Sequence, residues 1–148
     1  MDEQAMRWGV ASDHAGFALK ARVKDWLEAR GFVVTDLGAH SEARTDYPDW
    51  GRAAAEAVAA GQVDRAVIVC GTGIGISIAA NRHPGVRAAL CHDEFTARMA
   101  RAHNDANILA LGARVVDEGM AEAIVGAFVT TDFEGGRHAD RVARIDRT

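Results

Sequence analysis

The stretch Arg65-Ala-Val-Ile-Val-Cys70-Gly-Thr-Gly-Ile-Gly75 decides the fold. The residues after Arg65 form an apolar, β-branched run, which is typical of a strand buried on both faces of a parallel sheet. The run leads directly into a loop with three alternating glycines, and a helical segment follows to residue 81. A strand, a tight turn and a helix in this order open a β-α-β unit, so the segment predicts a parallel sheet.

The same alternation extends outward on both sides of this segment. Strands are predicted at 8–12, 32–36, 65–69, 86–90 and 106–111, and helices at 16–30, 46–60, from the glycine loop to 81, 93–102 and 117–129. The tail from about residue 133 is basic and is predicted to be partly helical. We therefore expect an α/β three-layer sandwich with a five-stranded parallel sheet in the order 2-1-3-4-5.

Composition excludes several classes of protein. The chain has 148 residues, of which 49% are hydrophobic and 26% charged, so we expect one folded domain over residues 1–148. Its formal net charge of −4 provides no basic surface for nucleic acid. No apolar run reaches the roughly 20 residues that span a bilayer, and the acidic N-terminus lacks a signal-peptide pattern. We therefore expect neither a nucleic acid nor a membrane as partner.

Cysteine usage indicates the compartment. Cys70 and Cys91 are too few for a disulfide framework, so a reducing cytoplasm is the default expectation. Metal-binding spacings such as paired CxxC or HExxH are absent from the sequence.

The predicted strand order places a ligand crevice at the C-terminal ends of strands 1 and 3, where the order reverses. Asp13 and His14 follow strand 1, and Cys70 and the glycine loop follow strand 3. The loop lets the backbone approach a ligand closely and offers N–H groups to an anion. A tight turn that binds no ligand is the alternative interpretation.

The glycine spacing argues against two nucleotide-binding loops. A dinucleotide fingerprint would require Gly where Ile76 stands, and no Gly-Lys-Ser/Thr of a Walker loop follows. An oxidoreductase domain with Asp93 as the ribose-binding acid is also disfavoured, because the loop follows strand 3 instead of strand 1.

Position in the sequence leaves two roles open for Cys70, and two for Arg137 and Arg141. Cys70 stands just before a helix, whose N-terminus favours a thiolate, but a buried Cys acting as a small hydrophobe is equally consistent. Cys91 has no glycine loop after it and is interpreted as structural. Arg137 and Arg141 share a helix face and could clamp a phosphate, although their spacing alone favours a solvated basic tail.

Five motifs, taken together, resemble one family. They are Ser12-Asp-His-Ala-Gly-Phe17, Arg44-Thr-Asp-Tyr-Pro48, Cys70-Gly-Thr-Gly-Ile-Gly-Ile-Ser-Ile-Ala-Ala-Asn81, His103-Asn-Asp-Ala-Asn107 and Phe133-Glu-Gly-Gly-Arg-His138. The set is similar to ribose-5-phosphate isomerase type B, a family that includes the galactose-6-phosphate isomerase subunits, and it covers nearly the whole chain. The resemblance implies a Rossmann-like fold, a homodimer or a dimer of dimers, and no metal or organic cofactor.

The resemblance also implies a role for each matching residue. Cys70 is the general base, and His103 is the acid/base that opens the furanose ring, with Thr72 nearby. Asp13 belongs to the catalytic residues and lies with His14 at the sugar and phosphate end. The other implied binding residues are Gly71, Gly73, Ile74 and Gly75 for the enediolate oxygen, and Asn104, Arg114, Arg137 and Arg141 for sugar and phosphate. Some relatives carry Glu at the position of Ile76 and Ser at that of Thr72, so this chain resembles the Cys-type branch.

The function implied is an aldose–ketose isomerase that interconverts ribose 5-phosphate and ribulose 5-phosphate through an enediolate. Relatives act on allose, galactose or tetrose phosphates, and a non-catalytic sugar-phosphate-binding domain would not need Cys70 together with His103. Because His103 precedes strand 5, it should lie at the opposite edge of the sheet from Cys70. If both are catalytic, we expect a two-fold dimer with active sites shared between subunits.

Overall fold

The computed structural model describes residues 6–147, so Thr148 and the first five residues of the acidic N-terminus lie outside it. Within the described residues, five strands and six helices follow one another. The strands are β1 (Arg7–Ser12), β2 (Val33–Gly38), β3 (Arg65–Cys70), β4 (Ala88–Leu90) and β5 (Ile108–Gly112). The helices are α1 (Phe17–Ala29), α2 (Tyr47–Ala59), α3 (Ile74–Ala80), α4 (Glu94–Ala102), α5 (Glu118–Thr130) and α6 (Arg137–Asp146).

The sheet is parallel at every pairing and is covered by helices on both faces. On one face, alternate residues of β1, β3 and β5 pack against α1, α4 and α5, and the cluster includes Val67, Leu109 and Phe128. On the other face, Ile68 and Ile108 pack against α2 and α3. The predicted three-layer α/β fold is confirmed. Within residues 6–147, no helix combines the length and the apolar character needed to cross a membrane.

The predicted strand order 2-1-3-4-5 is wrong at one edge, because the observed order is β2-β1-β3-β5-β4. All five residues of β5 are buried, whereas the three residues of β4 are only partly buried. A strand flanked on both sides needs a long apolar run, and the segment before β4 is interrupted by Arg87. The short strand therefore occupies the edge, and β5 pairs directly with β3.

The correction does not move the predicted crevice, since β1 and β3 remain neighbours. Their C-terminal ends define one edge of the sheet. The α4–β5 loop and the chain after α5 lie at the other edge, where the backbone N–H of Glu134 donates to the carbonyl of Ala102 at 3.0 Å. Helix α6 ends there too, with an Arg87–Asp146 ion pair of 2.9 Å.

Candidate active site

A crevice of about 490 Å³ opens at the C-terminal ends of β1 and β3. Its volume falls in the range of small-molecule sites. The lining residues are Asp13, His14, Ala15, Tyr47, Cys70, Gly71, Thr72, Ile74, Gly75, Ile78 and Arg114. Eight of the residues singled out in the sequence therefore meet in one crevice, seven of them as the topology predicts and Arg114 as the resemblance implies.

Cys70 is the last residue of β3 and points its sulfur into the start of the glycine loop. The backbone N–H of Gly73 donates a hydrogen bond to Sγ at 3.2 Å. This hydrogen bond fixes the position of the sulfur at the point where β3 ends and the loop begins. The side chain is 4% exposed, yet it borders the open crevice. The arrangement therefore suits a nucleophile or a base that is reached only from the ligand side.

Gly73 makes this hydrogen bond possible. Its φ of 78° lies in the left-handed region, and a Cβ there would come within 2.9 Å of the carbonyl carbon of Leu111. A side chain is excluded both by conformation and by space. Gly73 is not among the residues that line the crevice, so it shapes the loop from behind.

Thr72 and Arg114 give the crevice its polar wall. The hydroxyl of Thr72 accepts a hydrogen bond from the N–H of Ile74 at 3.2 Å. The backbone N–H of Arg114 donates to the carbonyl of Gly71 at 2.9 Å, which holds the β5–α5 turn against the glycine loop. The Arg114 guanidinium thereby brings a cation beside the loop, as an anionic ligand requires.

Asp13 and His14 come from the turn after β1. Asp13 is 6% exposed, and its Oδ1 accepts a hydrogen bond from the N–H of Gly16 at 3.1 Å, which fixes the entry into α1. His14 Nδ1 lies 3.2 Å from the N–H nitrogen of Thr45 and 3.1 Å from its carbonyl oxygen. Since Thr45 occupies Nδ1, Nε2 is the ring nitrogen left for a ligand.

Tyr47 and Ile78 also line the crevice, although the sequence analysis gave them no role. Tyr47 stands in the quoted Arg44-Thr-Asp-Tyr-Pro48 motif, and its ring packs on Gly75, where a Cβ would come within 2.5 Å of it. This motif is the sequence feature that could have indicated a role for Tyr47. Tyr47, Ile74 and Ile78 are exposed by 42%, 51% and 60%, so the rim of the crevice is apolar.

The other predicted site residues, His103, Asn104, Arg137 and Arg141, do not line the crevice. They belong to the opposite edge of the sheet. Cys70 pairs with Gly112 at the far end of β5, whereas His103 follows α4 and precedes the start of that strand. Five residues of strand span about 13 Å at about 3.3 Å per residue, so one chain does not bring Cys70 and His103 together.

His103 lies in a group that the sequence analysis missed. Its imidazole stacks on that of His138, with ring centroids 4.2 Å apart and planes 13° apart. Glu134 Oε1 lies 3.8 Å from His103 Nε2 and 3.6 Å from His138 Nε2. Both Glu134 and His138 stand in the quoted Phe133-Glu-Gly-Gly-Arg-His138 motif, but no local spacing indicates that they meet His103, which lies 31 and 35 positions earlier.

The environment of His138 disfavours its charged form. Burial lowers its pKa, and the positive charges of protonated His103, Arg137 and Arg141 act in the same direction. The carboxylate of Glu134 acts in the opposite sense but does not outweigh them. His138 is therefore a neutral imidazole more readily than an ordinary surface histidine.

A family model described as Ribose/Galactose Isomerase matches residues 9–145. The chain belongs to the ribose/galactose isomerase family. The ribose-5-phosphate isomerase B of Escherichia coli (strain K12) is 48% identical to this chain, over 90% of this chain and 89% of that protein. The D-erythrulose-4-phosphate isomerase of Pectobacterium atrosepticum is 40% identical, over 92% of this chain and 90% of that protein.

Solved structures of this family confirm the predicted resemblance. Ribose-5-phosphate isomerase B of Clostridium thermocellum superposes with a TM-score of 0.94 at 52% identity, and 95% of each chain is covered. Members of the ribose/galactose isomerase family thus share both the sheet described above and nearly the whole length of this chain.

Proposed function

We propose that this chain, a sugar-phosphate isomerase of the ribose/galactose isomerase family, interconverts ribose 5-phosphate and ribulose 5-phosphate, with Cys70 as the base. One observation carries the proposal. The Cys70 sulfur borders a sugar-sized crevice and accepts the N–H of Gly73 at 3.2 Å, so the sulfur is held where a ligand carbon can reach it. The two free cysteines fit a reducing compartment, so we place the enzyme in the cytoplasm, in carbohydrate metabolism.

The proposed chemistry moves one proton between neighbouring carbons. The Cys70 thiolate removes a proton from the carbon next to the carbonyl, which leaves an enediolate. The hydroxyl proton on that carbon's oxygen passes to the former carbonyl oxygen, and the Cys70 thiol returns its proton to the former carbonyl carbon. The developing negative oxygen is held by backbone N–H groups of the loop from Gly71 to Gly75. Thr72 and Asp13 lie beside the reacting carbons of the sugar. His14 and Arg114 supply polar contacts to the sugar and phosphate.

We propose that His103 and Asn104 of a second copy complete each site in a two-fold homodimer. His103 would open the furanose ring, and Arg137 and Arg141 of the same copy would bind the phosphate. Support comes from the separation of the two groups within one chain and from the exposed apolar rim of Tyr47, Ile74 and Ile78, which a partner would cover. A pair of such dimers would keep these shared sites.

Other phosphosugars are the second candidates. The crevice volume of about 490 Å³ accepts four- to six-carbon sugar phosphates, and a relative is named for erythrulose 4-phosphate. A non-catalytic sugar-phosphate-binding domain would keep the glycine loop. It would not need the sulfur of Cys70 to be turned toward the ligand.

The test is a panel of ribose 5-phosphate, allose 6-phosphate, galactose 6-phosphate and tetrose phosphates, with isomerisation followed directly. Ribose 5-phosphate should give the highest kcat/KM. Cys70→Ser should lower kcat by roughly 10²–10⁴-fold, because a hydroxyl is far too weak a base at neutral pH. Cys91→Ser is the matched control and should keep its turnover. A higher kcat/KM for another sugar would change the substrate, and near-normal turnover of Cys70→Ser would exclude Cys70 as the base.

A further inference from the structure

His103, Glu134 and His138 form a compact group that we call the His–Glu–His cluster. One ligand-type atom of each residue lies within 4.8 Å of the other two. His103 is the residue after α4, Glu134 lies in the segment before α6, and His138 is in the first turn of α6. Two separate segments of chain, the end of α4 and the start of α6, thus converge at one point, at the edge of the sheet opposite the crevice.

The three side chains differ in freedom in a way that suits a binding site. His138 is fixed, since its side chain is 7% exposed. The side chains of His103 and Glu134 are 38% and 58% exposed, so both can adjust. Glu134 Oε1 is 3.6 Å from His138 Nε2 and 3.8 Å from His103 Nε2, which is longer than a hydrogen bond. The cluster is therefore close-packed but not locked by hydrogen bonds.

These distances match those between ligands of a common metal ion. Imidazole nitrogen and carboxylate oxygen bind Zn²⁺ at about 2.0–2.2 Å, so two ligands of one ion are at most about 4.2 Å apart. Both Glu134–His distances already satisfy this limit. The two imidazole rings are stacked with their centroids 4.2 Å apart, and a rotation of the exposed His103 ring would turn its nitrogen toward the same ion as His138.

We infer that the His–Glu–His cluster binds one divalent transition-metal ion, such as Zn²⁺ or Co²⁺, and that the ion inhibits the enzyme by occupying His103. Two imidazoles and one carboxylate form a ligand set that such ions accept, with further positions open to water. The guanidiniums of Arg137 and Arg141 lie near His138 and repel a dication. Binding should therefore be reversible and removable by a chelator. The inhibitory part rests on the proposed function.

The binding test uses Co²⁺ on the full chain, by calorimetry and by visible absorption. The wild type should bind one ion per chain and show no thiolate charge-transfer band, since the ligands are nitrogen and oxygen. Glu134→Gln and His138→Gln should each weaken binding by at least ~10-fold, because loss of even an outer-shell partner typically costs that much. Glu56→Gln and His92→Gln, at exposed positions elsewhere, should leave it unchanged.

Equal Co²⁺ affinity in Glu134→Gln and Glu56→Gln would overturn the site, as would a thiolate band, which would place the ion on cysteine. Glu134 is exposed, so its variant should fold even if His138→Gln does not. In the activity test, Zn²⁺ should inhibit the wild type, and Glu134→Gln should need at least ~10-fold more Zn²⁺ for the same fraction of its own metal-free rate. Zn²⁺ binding without inhibition would overturn the role of His103. If the wild type isomerised none of the sugars, the proposed function would be refuted, but the metal site would not.

Discussion

Cys70 and Cys91 are the two cysteines of the chain, and their surroundings give them opposite chemistry. Burial raises the pKa of Cys91 to about 11, and Cys91 is not among the residues that line the crevice. Cys70 borders the crevice and accepts the N–H of Gly73. At neutral pH the thiolate, which is the reactive form, is therefore nearly absent at Cys91.

Iodoacetamide should accordingly modify Cys70 and leave Cys91 unmodified at pH 7–8. Phosphosugar bound in the crevice should slow the modification. Labelling of Cys91 should begin only as the pH rises toward its pKa of about 11, where its thiolate appears. Peptide mapping after timed labelling checks each site. Equal labelling of the two residues at pH 7.5 would contradict the environment described for Cys91.

Arg137 and Arg141 provide a second prediction at the residue scale. Changing either to Ala should weaken binding of phosphorylated sugars by about 1.5–3 kcal/mol for each lost charged hydrogen bond. Inorganic phosphate should compete with the sugar. Arg144→Ala is the matched control, because Arg144 lies on the same helix but pairs with Asp140 at 3.1 Å. Calorimetry measures the affinity of each variant for a phosphosugar. Unchanged affinity in the double Arg137/Arg141 variant would show that α6 is a solvated basic tail that does not bind the phosphate.

Sequence reasoning predicts residues that follow strands better than residues that meet across the chain. Asp13, His14 and Cys70 are found together because parallel strands bring their C-terminal ends to one edge. The convergence of Glu134 and His138 on His103 depends on how the chain returns after α5. No helical or strand periodicity encodes that return, so the sequence does not predict the His–Glu–His cluster.

At the scale of elements, strand and helix types are predictable and the order at the edge is not. Each apolar run in the sequence becomes a strand within about two residues of its predicted ends. The order fails because the rule that crossovers between parallel strands are right-handed is compatible with β4 and β5 in either arrangement. All five residues of β5 are buried, which fits the interior position beside β3. Burial depends on the neighbouring elements and not on the sequence of the strand alone.

Asp64 joins two elements and gives a prediction about pH. Its carboxylate accepts the backbone N–H of Arg7 at 2.7 Å and lies 3.2 Å from the Arg7 guanidinium, which links the start of β1 to the turn before β3. Partial burial acts to raise the pKa of Asp64, but the hydrogen bonds from Arg7 outweigh it and hold that pKa below its usual value.

A carboxyl whose pKa is lower in the folded state stabilises the protein above its unfolded pKa, and the contribution is lost as pH falls through the folded pKa. Asp64→Asn should therefore lower the free energy of unfolding by on the order of 1 kcal/mol near neutral pH, because the pair is partly exposed. The difference should shrink below about pH 4. Urea unfolding at several pH values measures it. In an Arg7→Ala background the pH-dependent part should be smaller, and an undiminished one would show that Arg7 is not its cause.

At the scale of the whole molecule, the site is divided between the two edges of the sheet. The crevice with Cys70 lies at the C-terminal edge, and His103, Arg137 and Arg141 lie with α6 at the N-terminal edge. About 13 Å of strand separates these edges within one chain. If both groups act on one sugar, a second copy must present its N-terminal edge to the crevice of the first.

The proposed dimer therefore predicts complementation between two inactive proteins. Cys70→Ala and His103→Ala should each be inactive as homodimers, because every site lacks one group. In a mixed dimer, one site combines the intact Cys70 of one chain with the intact His103 of the other, and the second site has neither. Random exchange makes half of the dimers mixed, and each has one working site of two, so roughly a quarter of wild-type activity should return.

The measurement needs proof that subunits have exchanged, because a mixture that contains only the two parent homodimers would also be inactive. Two affinity tags on the two variants allow mixed dimers to be purified and assayed directly, and these should show roughly half of the wild-type rate per dimer. A mixture of Cys70→Ala with a second, differently tagged Cys70→Ala protein is the control and should stay inactive. Purified mixed dimers without activity would place Cys70 and His103 in the site of the same chain, which would require α4 and β5 to rearrange from the positions described above.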